Sequence, residues 1–143
     1  MADSLVSPVA ASAPAHPHLK ALVDAAKACG PLRVAIAYPC DAASLGAAIE
    51  AEDTGLIVPI LVGPRARMEA AAQQGGLDLS SAEIVDTLDD PRAAAAQAAT
   101  LCREGSAAAL MRGSLHTDEL LGAAVSREAG LRGGSRASHA FVL

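Results

Sequence analysis

Four times in succession a short, continuous apolar run gives way to a helix-patterned segment, and few folds accept that alternation. The runs are RVAIAY (33–38), LIVPILVG (56–63), AEIVDT (82–87) and SAAALM (106–111). They are short, unbroken and without a polar face, so each predicts a strand covered on both sides. After them come PCDAASLGAAIEAEDTG, PRARMEAAAQQGG, DDPRAAAAQAATLCREG and TDELLGAAVSREAG. Asp41 and Asp90 stand where N-caps belong, Pro91 suits a first helical turn, and Pro64 can open its segment in the same way. With right-handed crossovers, this order predicts an α/β fold: a doubly wound, mostly parallel sheet of about five strands with helices on both faces, a three-layer αβα arrangement.

The flanks are less regular. Leu19, Leu22, Val23 and Ala26 fall at helical spacing, and Gly30-Pro31 ends that helix near Cys29. Residues 1–16, interrupted by Pro8 and Pro14, are expected to form a flexible tail ahead of one α/β domain over residues 17–143. Pro59 lies inside the second run and cannot donate to a ladder, which predicts an edge strand, a bulge or a start at Ile60. The last segment, GGSRASHAFVL, predicts a Gly-Gly turn and a fifth strand. An apolar strand leaves a sticky edge, so more chain or a partner is expected to follow it.

Composition narrows the function classes. The chain has 143 residues, 52% of them hydrophobic but only 1% aromatic, and a net charge of −5. Without a basic patch or stacking residues, no nucleic-acid partner is expected. Apolar runs fall short of the ~18–20 residues that span a bilayer, and the N-terminus lacks a basic start, so neither a membrane nor a secretory route is expected. Cys29, Cys40 and Cys102 are odd in number and lack metal-ligand spacing, which fits a reducing cytoplasm.

Ligands of open parallel sheets bind beyond the carboxyl ends of the strands. That rule selects Pro39, Cys40 and Asp41 after the first strand, Gly63 to Arg65 after the second, Thr87 to Asp90 after the third and Arg112 to Thr117 after the fourth. The fourth loop gathers a guanidinium at Arg112, Gly113, the hydroxyls of Ser114 and Thr117, and the imidazole of His116. No dinucleotide fingerprint, P-loop or nucleophile elbow occurs. His116, Asp118 and Glu119 point around a helix start instead of converging, so no metal site is expected. Structural roles compete at each position. Thr117 fits an N-cap with Asp118 and Glu119 in the first turn, where those acids discourage an anion. Gly113 suits a special backbone conformation, and His116 suits a hydrogen-bonded loop position. Cys40 beside Asp41 reads as an apolar filler with a raised pKa, and Arg65 and Arg67 read as solvated charges.

The segments LMRGSLHTDELLGAAVSREAGLR and SRASHAFVL carry a further signal, since they resemble the stretch MKGSLHTDELM…RRISHVF of phosphate acetyltransferases and phosphate butyryltransferases. The upstream strand ending in Pro-Cys-Asp and the Gly-Pro after the second strand are similar to that family's opening. The resemblance implies transfer of a short acyl group between coenzyme A and inorganic phosphate. It implies two α/β domains with a cleft between them, usually a homodimer, with coenzyme A as substrate and no tightly bound cofactor. It places Ser114, His116 and Thr117 at the cleft wall, and with them Arg112, Gly113, Pro39, Cys40 and Asp41 are the candidate substrate-binding residues. The family's catalytic residues lie in a C-terminal part without counterpart here, so none is carried over and the chain alone is expected to be inactive. Arg112 stands where the family often has lysine, and GGSRAS replaces a more basic stretch. A non-catalytic α/β module that binds a small anion or mediates dimerisation or regulation is the alternative.

Overall fold

A computed structural model describes residues 16–128, 131–134, 138 and 140. The expected tail and fifth strand lie outside the described residues, His16, Ser138 and Ala140 excepted. The elements run α1 (Pro17–Ala28), β1 (Leu32–Ala37), α2 (Ala42–Asp53), β2 (Ile57–Gly63), α3 (Arg65–Gly75), β3 (Glu83–Asp86), α4 (Pro91–Arg103), β4 (Ala109–Arg112) and α5 (Thr117–Val125). Among the described residues the sheet has four strands, all parallel, in the order β3-β2-β1-β4.

Strand alternation divides the core in two. Val34, Ile36 and Leu61 point to one face, against Leu45 and Ala48 of α2 and Met68, Ala71 and Ala72 of α3. Ala35, Ala37, Ile60 and Val62 point to the other, against Ala94, Ala95 and Ala98 of α4, with Leu120 and Ala123 of α5 beside them. Both faces are covered, as the unbroken apolar runs require. An alanine-lined α4 lets its backbone approach the sheet closely, which is how a core nearly free of aromatic rings stays filled. Each fully buried Ile or Leu on these strands is worth about 1.5–3 kcal/mol.

Pro59 does not mark an edge. On the β1 side, Leu32 N–H donates to the Leu56 carbonyl and Tyr38 N–H to that of Val62; on the β3 side, Thr87 N–H donates to that of Gly63. Even-numbered residues of β2 therefore face β1, and odd-numbered ones face β3. Pro59 belongs to the second set, and β3 joins only from Ile60, opposite Glu83. The missing N–H interrupts no bond, so an unbulged strand runs through the proline from Ile57 inside the sheet.

Every helix that starts at the carboxyl ends of the strands begins under a carboxylate. Asp41 accepts from Ser44 N–H at 2.6 Å, and Asp90 from Arg92 N–H at 3.0 Å, as the sequence predicts. The other two differ from expectation. Pro64 is the residue before α3 instead of its first, and the exposed Arg65 N–H donates to Asp86 of β3 at 2.8 Å. His116, not Thr117, is the N-cap of α5, and its N–H donates to Glu119 at 3.0 Å. Asp118 and Glu119 do occupy the first turn.

Candidate functional site

Helices α2 and α3 pack on one face of the sheet and α4 and α5 on the other, so the chain leaves β1 and β4 in opposite directions. That divergence is the switch point at which open α/β sheets take their ligands. Two loops meet there, Tyr38–Asp41 after β1 and Gly113–His116 after β4. The sequence-predicted candidates Pro39, Cys40, Asp41, Gly113, Ser114 and His116 all belong to them. Arg112 is the last residue of β4, paired with Ala37, and Thr117 is the first of α5.

The two loops are pinned together. Gly113 N–H donates to the Ala37 carbonyl at 2.9 Å, and Ser114 N–H to that of Tyr38 at 2.9 Å. The Ser114 hydroxyl donates to the same Tyr38 carbonyl at 2.7 Å and accepts from Cys40 N–H at 2.9 Å. Ser114 is thus a clasp between loops, with its hydroxyl hydrogen already committed. Gly113 is required by closeness: a Cβ there would lie 2.5 Å from the Ala37 carbonyl oxygen and 2.7 Å from Pro39 N. Arg112 Nη1 donates to the Leu115 carbonyl at 3.0 Å, bracing the loop from its other end. His116 and Thr117 are exposed.

Tyr38 holds the centre. It is the one described non-glycine residue with positive φ, at 52°, a conformation that costs about 1–2 kcal/mol. The residue is 7% exposed, and its hydroxyl donates to Asp89 after β3 at 2.7 Å. Arg67 of α3 donates through Nη1 to the Tyr38 hydroxyl at 2.7 Å and to Asp89 at 3.1 Å, with its guanidinium carbon 5.6 Å from the ring centroid. Burial and the Asp89 carboxylate push the Tyr38 phenol up to about 12. The hydroxyl of Tyr38 and the Arg67 guanidinium hold the Asp89 carboxyl below its ordinary value.

Arg67 is therefore not simply a solvated charge, whereas Arg65, 3.7 Å from Glu69 at the surface, is. Arg67, Tyr38 and Asp89 went unpredicted as a group because they lie 22 to 51 residues apart. A lone tyrosine closing a strand was the one local signal. Cys40 behaves as a filler whose thiol is pushed up to about 11, but burial is the main cause and Asp41 a minor one. No group of His, Cys, Asp or Glu among the described residues is arranged to hold a metal ion, and no helix there is long and apolar enough to cross a membrane.

No protein-family model matches the chain. Curated relatives do. A phosphate acetyltransferase of Rhizobium meliloti is 49% identical over 122 residues, covering 85% of this chain and 38% of that protein. A phosphate acetyltransferase of Rickettsia felis is 38% identical over 113 residues, 79% of this chain and 32% of that protein. A phosphate butyryltransferase of Clostridium beijerinckii is 36% identical over 110 residues, 77% of this chain and 36% of that protein. Among solved structures, the EutD phosphotransacetylase from Staphylococcus aureus superposes with a TM-score of 0.58 at 19% identity, over 70% of this chain and 39% of that one, a likeness of fold. By sequence the chain is homologous to part of the phosphate acetyltransferases and phosphate butyryltransferases, and it spans between 32% and 38% of the length of these curated relatives.

Proposed function

We propose that this chain is part of an acyltransferase that moves a short acyl group between coenzyme A and inorganic phosphate, giving an acyl phosphate. The observation that carries the reading is the 49% identity over 122 residues to a phosphate acetyltransferase. Residues 17–143 are read as one α/β domain and one wall of a cleft that a second domain completes. Acyl-CoA and phosphate are the substrates, with coenzyme A a substrate and not a resident cofactor. The complete protein is read as a cytoplasmic homodimer.

The chemistry sets what the wall must do. A phosphate oxygen attacks the acyl carbonyl carbon, a tetrahedral oxyanion forms, and the carbon–sulfur bond breaks as the thiolate leaves and takes a proton. Orientation of two anionic partners and stabilisation of the oxyanion are the main demands. In this reading Arg112, His116 and Thr117 meet the ligand, Gly113 and Ser114 hold their loop in place, and Pro39, Cys40 and Asp41 form the facing edge.

The test is acyl phosphate formation from acetyl-CoA or butyryl-CoA and phosphate, run on the longest natural polypeptide that contains these residues and on the 143-residue chain. Activity in the first and none in the second supports the reading. Binding of a small anion with no turnover in either favours a non-catalytic module. Full activity in a Ser114→Ala plus His116→Ala variant of the longer form would overturn the role given to the fourth loop.

A further inference from the structure

We propose that Arg67 holds a phosphoryl group of the ligand, with Tyr38 and Asp89 as positioning residues for its guanidinium; this rests on the reading above and deepens it. The argument begins with what cannot hold an anion at this rim. A bare helix N-terminus attracts phosphate, but α2, α3, α4 and α5 each begin under a carboxylate, from Asp41, Asp86, Asp90 and Glu119. An incoming phosphate would meet an acid at each of them. Side-chain cations must then do the holding.

Four arginines stand near these loops, and their surroundings separate them. Arg65 lies beside Glu69. Arg92 lines a groove of about 430 Å³ between α4 and α5 whose charged walls are otherwise acidic: Asp118, Glu119 and Glu128. Arg112 is braced through one nitrogen against its own loop. Arg67 is fixed by the Tyr38 hydroxyl and the Asp89 carboxylate, both through Nη1, and its guanidinium carbon lies over the Tyr38 ring. Its Nε and Nη2 have no hydrogen-bond partner among the described residues, and its side chain is 54% exposed. A guanidinium with its plane set and two donors unspent is pre-organised for a pair of phosphoryl oxygens.

Asp89 offsets the formal charge of Arg67, so the attraction is short-ranged and depends on hydrogen-bond geometry more than on field. That makes the lysine variant discriminating, because a point charge cannot replace a fork. Arg67 and Arg112 stand on opposite sides of Tyr38, one toward β2 and β3 and the other at β4, a placement suited to a ligand with separated phosphate groups.

The experiment titrates the 15N-labelled 143-residue chain with inorganic phosphate and, separately, with coenzyme A. The Arg67 Nε–H resonance is expected to shift and saturate with at least one probe. A response to inorganic phosphate assigns the group to that substrate; a response to coenzyme A alone assigns it to the phosphate esters of the cofactor-like substrate. Read from the amides of residues 38–41 and 63–67, Arg67→Gln and Arg67→Lys should both weaken binding about tenfold, and Tyr38→Phe by a smaller factor with the Arg67 resonance broadened. No saturable shift with either probe, or unchanged affinity in Arg67→Gln, overturns the proposal. Acyl transfer by the longer polypeptide without this response removes the site and leaves the function; the response without acyl transfer does the reverse.

Discussion

Replacing Gly113 with alanine tests the join between β1 and β4 directly. The added Cβ would sit 2.5 Å from the Ala37 carbonyl oxygen, 2.7 Å from Pro39 N and 2.7 Å from the Tyr38 carbonyl carbon, all of them backbone atoms with no rotamer to escape into. Relief needs a displacement of about 1 Å to reach ordinary van der Waals separation. The Gly113 N–H bond to Ala37, now 2.9 Å, would then exceed the ~3.2 Å limit for a good bond, and the Ser114 bonds to Tyr38 would stretch with it. Overpacking of about 1–3 kcal/mol and one or two lost bonds at about 1 kcal/mol each give a destabilisation of about 2–5 kcal/mol. For a domain of this size that is a Tm lowered by about 7–20 °C. Urea unfolding followed by far-ultraviolet circular dichroism measures it. Gly46 is the control: inside α2 with nothing within 4 Å of a built Cβ, its alanine variant should gain about 0.5–1 kcal/mol. A Gly113→Ala chain within about 0.5 kcal/mol of the parent would refute the close-approach argument.

Two further outcomes follow from the ionisable groups. Tyr38 is the one tyrosine in the chain, so phenolate absorbance reports it alone; its midpoint should lie near 12 and fall partway toward 10.0 in Asp89→Asn, where the carboxylate is gone but burial remains. Because the folded value is the higher one, the stability tied to this phenol is present below pH 10.0 and is lost as the pH rises through about 12. Among the thiols, mass spectrometry after brief alkylation near pH ~8 should find Cys29 modified first, since it is exposed while burial raises Cys40 and Cys102. Cys40 modified first would mean that the first loop opens far more readily than its hydrogen bonds suggest.

The layering of the fold was legible because unbroken apolar runs and the caps Asp41 and Asp90 are local signals. Pro59 was misjudged for the opposite reason. Whether a proline costs a ladder bond depends on the register with β3, and no neighbouring residue encodes that. Thr117 and Pro64 each missed by one position, the usual ambiguity where two polar or proline-compatible residues adjoin a helix start. The switch-point loops could be named from strand order, yet the roles inside them could not. Ser114 reads as a ligand-binding hydroxyl until its partners, Tyr38 and Cys40, are seen more than seventy residues away. Arg67 looked like any charge on a helix face until the phenol and carboxylate that fix it came together.

Tyr38 also changes how this end of the sheet must move. Its carbonyl is fastened to the loop after β4, its backbone continues β1, its N–H donates to the Val62 carbonyl near the end of β2, and its hydroxyl is tied to the loop after β3. One residue therefore laces together the exits of all four strands, like a stitch drawn across a hem. A push on the Gly113–His116 loop cannot be absorbed there alone, since the strained tyrosine must shift and carry Asp89 and Arg67 with it. The far edge of the sheet is mechanically within reach of whatever touches the fourth loop.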